Sequence, residues 1–204
     1  MRSWPKFLGV VVLALLYLVV PGQAPVGLAK HPPPPGPEEP RVATVHLAAA
    51  GDFLMHLPVV QAAWCPVTGG YDFTPIFLPV ARHLSEPDLT LVNLETRLAG
   101  SHRGYSGYPL FNSPAELARD MKELGIEVVA TANNHSLDMG VEGVAGTLHH
   151  LRAAGLIPIG TCVSEEEAAS PVVCDVKGIR IGFLNYTQSL NGFTPPPDRP
   201  YLVG

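Results

Sequence analysis

The stretch from Ile126 to Leu151 constrains this chain more tightly than any other. Ile126-Glu127-Val128-Val129-Ala130 is a short apolar run of strand character, while Val141, Val144, Ala145, Leu148 and Leu151 recur at helical spacing. Between them lies Thr131-Ala132-Asn133-Asn134-His135-Ser136-Leu137-Asp138-Met139-Gly140, which therefore occupies the turn where a strand hands over to a helix. In an open α/β sheet that turn lies at the carboxyl end of the strands, where ligands bind. Amides, an imidazole and a carboxylate crowded into so few residues suit a metal or a phosphate. The alternative is a plain turn, in which Asn and Asp take unusual backbone angles and Asp138 or Ser136 caps the helix.

The rest of the chain is read around that handover. With 204 residues, 47% of them hydrophobic, there is enough for one domain with a real core. The formal net charge is −5 and no Lys/Arg cluster follows the first residues, which argues against nucleic acid as a partner. Residues 1–29 read as a signal peptide: Arg2 and Lys6 precede an apolar run from Phe7 to Val20, and cleavage is expected after Ala24 or Ala29. The run is shorter than the roughly 20 residues of a membrane helix, so an uncleaved N-terminal anchor is the second choice. Residues 30–41, with six prolines between Pro32 and Pro40, read as a stiff spacer. The chain is thus expected outside the cytoplasm, secreted or tethered to the outer face of the membrane. Export permits disulfides, and Cys162 with Cys174 is the expected pair, with Cys65 left over.

From residue 42 onward strands and helices alternate. Strands are expected over Val42 to Ala49, Leu89 to Glu95, Ile126 to Ala130 and Leu156 to Ile159, and helices over Pro75 to Leu84, from Ser113 onward, and after Gly140. Ser113-Pro114-Ala115-Glu116 has the form of a capping box, with Leu117, Met121 and Leu124 as the buried stripe and Gly125 as the stop. Ser164 to Ala169 reads as a short helical turn. Val172 to Val176 and Ile179 to Tyr186, joined at Lys177-Gly178, read as a hairpin. The pattern predicts an α/β sheet with covering helices. Tyr201-Leu202-Val203-Gly204 reads as the start of a further strand, so the domain is expected to continue beyond residue 204.

Three strand ends carry polar residues: Asp52 and His56 after the first, Asn93 and Glu95 at the second, and Asn134, His135 and Asp138 after the third. Parallel, adjacent strands would bring them to one crevice. Mixed oxygen and imidazole donors suit Mn, Fe, Zn or Mg. Carboxylates from two strands could share two cations, an arrangement that activates water against a phosphoester. His46, His83, His102, His149 and His150 have no comparable setting.

Gly51-Asp52-Phe53-Leu54-Met55-His56, Asn93-Leu94-Glu95-Thr96 and the Thr131–Gly140 segment resemble the bacterial capsule-synthesis proteins of the CapA/PgsA type. That likeness extends to Gly104–Pro109, Gly155–Gly160 and Phe183–Thr187, and covers nearly everything from Val42 to Gly204. The resemblance implies a calcineurin-like metallophosphoesterase fold, an α/β/β/α sandwich of which this chain holds the N-terminal part. It implies a role in capsule or poly-γ-glutamate synthesis, export or anchoring. An anionic polymer or a phosphoester would be the substrate, and membrane-bound synthesis and export proteins the partners. By position, Asp52 resembles the first metal ligand, Glu95 the bridging carboxylate and Asn134 the amide ligand. His135 resembles the imidazole that steadies the transition state, with Asp138 behind it. Wider relatives place the first Asp and His two residues apart; here Asp52 and His56 are four apart, and Glu95 stands where they have Asp. Further histidine ligands would come from beyond Gly204. An alternative role is a non-catalytic extracytoplasmic scaffold that keeps the fold to hold polymer.

Overall fold

A computed structural model describes residues 42–204. The residues read as a signal peptide and as a proline-rich spacer lie outside the described residues. In chain order the elements are β1 (Leu47–Phe53), α1 (Leu57–Ala62), the two-residue strands β2 (Trp64–Cys65) and β3 (Gly70–Tyr71), α2 (Thr74–Phe77) and α3 (Ala81–Ser85). Next come β4 (Leu89–Leu94), α4 (Glu116–Glu123), β5 (Val128–Ala130), α5 (Gly140–Ala153), β6 (Ile157–Ile159), α6 (Glu165–Ala168), β7 (Val172–Val176) and β8 (Ile179–Phe183). Strands β1, β4, β5 and β6 form a parallel sheet in that spatial order, and β7 and β8 pair as an antiparallel hairpin.

Burial on both faces explains why β4 is apolar almost throughout, as parallel strands with covered faces must be. On one face Val92, Leu94 and Val129 pack with Val60, Phe73, Leu117, Met121 and Leu151, side chains of the helical layer and the segments joining it. On the other face Leu89, Val128, Ala130 and Ile159 meet Val172, Cys174, Val176 and Phe183 of the hairpin. The fold is a mixed α/β arrangement in which a central parallel sheet lies between helices and a second β layer. A smaller core of Leu137, Val144 and Leu148 closes around Leu202. Among the described residues no helix is long and apolar enough to cross a membrane.

Local structure departs from the sequence reading in four places. First, β1 begins at Leu47 and runs on through Gly51, Asp52 and Phe53. Second, the helix expected from Pro75 to Leu84 is split into α2, a 3-10 turn at Leu78–Val80, and α3, because Pro79 carries no N–H for a continuous ladder. Third, Ser113 caps nothing: α4 starts at Glu116 with Ala115 at its N-cap, and the Ser113 hydroxyl pairs with Thr96 Oγ1 at 2.8 Å. Fourth, the three cysteines are all free. Cys162 Sγ donates to Tyr201 O (2.8 Å), whereas Cys174 lies against the sheet–hairpin core, so the two thiols serve different neighbourhoods. Burial pushes both of these thiols up, which keeps them protonated. The short helical turn expected at Ser164 to Ala169 is α6, and it is capped by Ser164, whose Oγ accepts from Glu167 N. At the end of the chain Val203 makes a single antiparallel bridge to Thr161.

Gly125 stops α4 with φ +87°, and a Cβ there would lie 2.7 Å from Ser85 Cα. Gly125→Ala is therefore expected to lower unfolding free energy by at least about 2 kcal/mol, since strain and a backbone clash combine. Chemical denaturation of the two proteins measures it.

Candidate functional site

A bulge in β1 builds the first corner of the site. Register shifts between Ala49 and Asp52, so that Asp52 stands beside Asn93 and Phe53 beside Leu94. Bulges of this kind re-aim a side chain at a strand end. Asn93 in turn stands beside Ala130 of β5. The polar ends of three adjacent strands thus meet at one edge of the sheet.

A chain of amide hydrogen bonds joins them. Asn133 Nδ2 donates to Asn93 Oδ1 (3.0 Å) and to Leu94 O (2.9 Å), while His135 N donates to Asn133 Oδ1 (3.1 Å). Asn93 then donates from its Nδ2 to Asp52 Oδ1 (2.8 Å) and Glu95 Oε2 (3.3 Å). One neutral NH2 group therefore bridges two carboxylates. Burial, and then the nearby Asp52 carboxylate, raise the Glu95 pKa above its ordinary value, against the pull of His135 and Arg97.

The imidazole is fixed from behind. His135 Nδ1 lies 2.8 Å from Asp138 Oδ2, an oxygen that also accepts from Phe111 N (2.7 Å). A carboxylate acceptor there holds the proton on Nδ1 and leaves Nε2 directed to the site side. Nε2 lies 3.9 Å from Glu95 Oε1, close in charge but too long for a hydrogen bond. Beneath lies Arg97, fully buried, donating from Nη2 to Leu94 O (2.7 Å). Burial lowers its pKa to about 10, with Asp138 and Glu95 opposing that fall. Arg97 Nε and Asp138 Oδ1 are buried without a hydrogen-bond partner among the described residues.

Of the residues named from sequence, Asp52, Glu95, His135 and Asp138 come together. Asn134 sits in the same loop, but its side chain donates away from the carboxylates, from Nδ2 to Asn191 Oδ1 at 3.4 Å. Its neighbour Asn133 is the amide wired to the carboxylates. His56 is exposed and stands edge-on to Phe111, ring centroids 5.1 Å apart, while Phe111 stands edge-on to His135 at 4.7 Å. Asp138 and Ser136 do not cap α5, whose N-cap is Met139 without a side-chain bond. Ser136 Oγ instead ties the loop to itself, donating to Asn133 O and accepting from Asn133 N. The sequence reading gave Asn93 a place but no role, and it passed over Arg97. An Asn two residues before a strand-end Glu is the signal for the first. A lone Arg in an otherwise apolar segment, Arg97-Leu98-Ala99, is the signal for the second. Among the described residues no three His, Cys, Asp or Glu side chains are grouped to hold a metal.

A family model described as "Bacterial capsule synthesis protein PGA_cap" matches residues 46–201, which contain every residue of this site. The chain belongs to that family. Among curated relatives, the uncharacterized proteins y4sH and y4uA of Sinorhizobium fredii are each 32% identical over 128 residues, 59% of this chain and 27% of theirs. The capsule biosynthesis protein CapA of Bacillus anthracis is 30% identical over 74 residues, 36% of this chain and 18% of its own. The chain therefore spans well under two thirds of the length of the relatives it matches. Family membership agrees with the mixed α/β fold and its central parallel sheet.

The raised Glu95 pKa makes a signed prediction for this family member. Between the ordinary glutamate value and the higher folded value, the folded state binds more protons than the unfolded state, so stability falls as pH rises through that window. Glu95→Gln mimics the protonated side chain. It is expected to flatten that slope and to raise the melting temperature at neutral pH in the absence of added metal, as read by thermal denaturation across a pH series.

Proposed function

We propose that this capsule-synthesis family member is an exported protein of poly-γ-glutamate capsule biosynthesis, export or anchoring, with a metal-dependent hydrolase site at the carboxyl edge of its sheet. The observation that carries the reading is the pair of carboxylates, Asp52 and Glu95, held together by the NH2 of Asn93. Two like charges kept close, one with a raised pKa, form a donor set that a divalent cation would relieve. Mn, Fe, Zn or Mg suits such oxygen donors, with Asn134 as a further amide oxygen and His56 as an imidazole at the rim. When bound, the cation would polarise a phosphoryl or carbonyl oxygen of the substrate. His135 is the proton-handling group: Asp138 orients its ring, and Nε2 gives or takes the proton at the reacting oxygen. Asp52, the exposed member, would meet solvent and substrate first, whereas buried His135 keeps a fixed orientation. The substrate class is a phosphoester or the anionic polymer itself, and membrane-bound capsule synthesis or export proteins would be the partners.

A second reading is a non-catalytic extracytoplasmic scaffold or polymer-binding subunit. It is favoured by the placement of Asn134 and His56, whose side chains meet Asn191 and Phe111.

Calorimetric titration with manganese and zinc separates the two. Glu95→Gln is expected to weaken cation binding by about tenfold or more, and Asn134→Asp by less, because an oxygen donor remains. Affinity should fall in acid as the carboxylates protonate. With hydrolysis assayed on poly-γ-glutamate and on a phosphodiester, His135→Ala should reduce turnover by about a hundredfold or more. Equal cation affinity in wild type and Glu95→Gln, with no hydrolysis in either, would leave the scaffold reading.

A further inference from the structure

The loop that carries Asn133 and His135 is held by a residue far along the chain. Asn185 lies just beyond β8, and its side chain is half-buried against the end of β5. Asn185 Oδ1 accepts from Thr131 N (3.1 Å) and from Ala132 N (2.8 Å), and Asn185 Nδ2 donates to Ala132 O (3.1 Å). Both backbone polar groups of Ala132 are thus paired by one side-chain amide, as a neighbouring strand would pair them. Thr131 still reaches β6, with its N donating to Ile159 O (2.9 Å). Ala132 is the point where the strand ladder gives way to Asn185. Room for the amide is made at Gly160, where φ is +93° and a Cβ would lie 2.1 Å from Asn185 Oδ1 and 2.7 Å from Ala132 Cβ. The segment holding Asn185 is itself tied down, since Thr187 N donates to Gly204 O and Gly204 N to Gly160 O.

We infer that Asn185 is a positioning residue of the site, which sets the Thr131–Ala132 backbone and, through Asn133 and Asn93, the spacing of Asp52 and Glu95. The connection is continuous. Asn185 fixes Ala132; the next residue, Asn133, bonds Asn93; and Asn93 bonds both carboxylates. Loss of the Asn185 amide leaves the N–H and the carbonyl of Ala132 to find other partners, while Thr131 N keeps Ile159 O. The Asn133 side chain then has no fixed origin from which to reach across to β4. This inference rests on reading the carboxylate edge as the functional site, but its first test needs no metal.

The full chain, labelled with nitrogen-15, is compared as wild type, Asn185→Ala, Asn185→Asp and Thr90→Val. Thr90 is buried, donates to Leu84 O (2.6 Å) at the opposite end of β4, and serves as a control for general destabilisation. In Asn185→Ala the side-chain NH2 signals of Asn93 and Asn133 should shift or broaden, and the Ala132 amide should exchange faster. Asn185→Asp keeps an acceptor for both N–H groups, so it should restore Ala132 protection and most of the two signals. Thr90→Val should lower the melting temperature and leave those signals in place. If Asn185→Ala does not fold, Asn185→Asp against Thr90→Val decides alone: signals in Asn185→Asp no closer to wild type than in an unstructured loop would overturn the inference. Unmoved Asn93 and Asn133 signals in a folded Asn185→Ala would also overturn it. In manganese titrations, a wild type that binds and an Asn185→Ala that binds about tenfold more weakly supports positioning. A wild type that does not bind defeats the metal reading, and the amide signals then decide the positioning role by themselves.

Discussion

Everything at the functional edge depends on the side-chain amide of Asn133. It donates to the backbone of β4 at Leu94 and to the side chain of Asn93, and it accepts from the backbone of His135. A loop after β5 is thereby fastened to the end of a neighbouring strand by two hydrogen bonds from one residue, and a third from His135 N fixes the loop on itself. The residue is nearly buried, so each bond is made away from competing water and each would be costly to leave unmade. Without that fastening, two parallel strands would still pair, but the imidazole would lose its tie to β4 and be oriented by Asp138 alone.

Charge is arranged in layers beneath the same edge. Arg97, Asp138 and His135 are buried, Glu95 is half-buried, and Asp52 is exposed. The guanidinium is the deepest charge, and it opposes the rise in Glu95 while Glu95 and Asp138 oppose its own fall. A buried cation lies below the pair of carboxylates, and the Asn93 NH2 donates to both of them. Such an edge is stable enough to persist and still carries a surplus of negative charge toward solvent. Both readings of the protein's work, hydrolysis and polymer holding, begin from that surplus.

The parallel sheet supplies the rigidity this needs. Its two faces are covered, one by helices and one by the β7–β8 hairpin, so its strand ends cannot shift without disturbing two cores. The hairpin also delivers Asn185 to the base of the loop. One element therefore both buries a face of the sheet and braces its functional end.

The sequence by itself determined the α/β alternation, the hairpin at Lys177-Gly178, the short helical turn at Ser164 to Ala169 and the strand-to-helix setting of the Asn-Asn-His segment. Each of these is local: hydrophobic period, a turn dipeptide or a capping oxygen acts within a few residues of itself. Asp52, Glu95, His135 and Asp138 were legible because strand ends in a parallel sheet share one edge. What the tertiary structure alone decided was which polar residue meets which. Ser113 had the form of a cap, but a buried Thr96 hydroxyl, 17 residues away, claimed it. Asn133 and Asn134 are indistinguishable by type, and only the register of β4 against β5 turned the first to Asn93 and left the second facing Asn191. Asn185 reads as an ordinary strand-end residue, since its partners lie 53 and 54 positions earlier. Hydrogen bonds of that range are set by packing of whole elements, and no local pattern in the sequence encodes them.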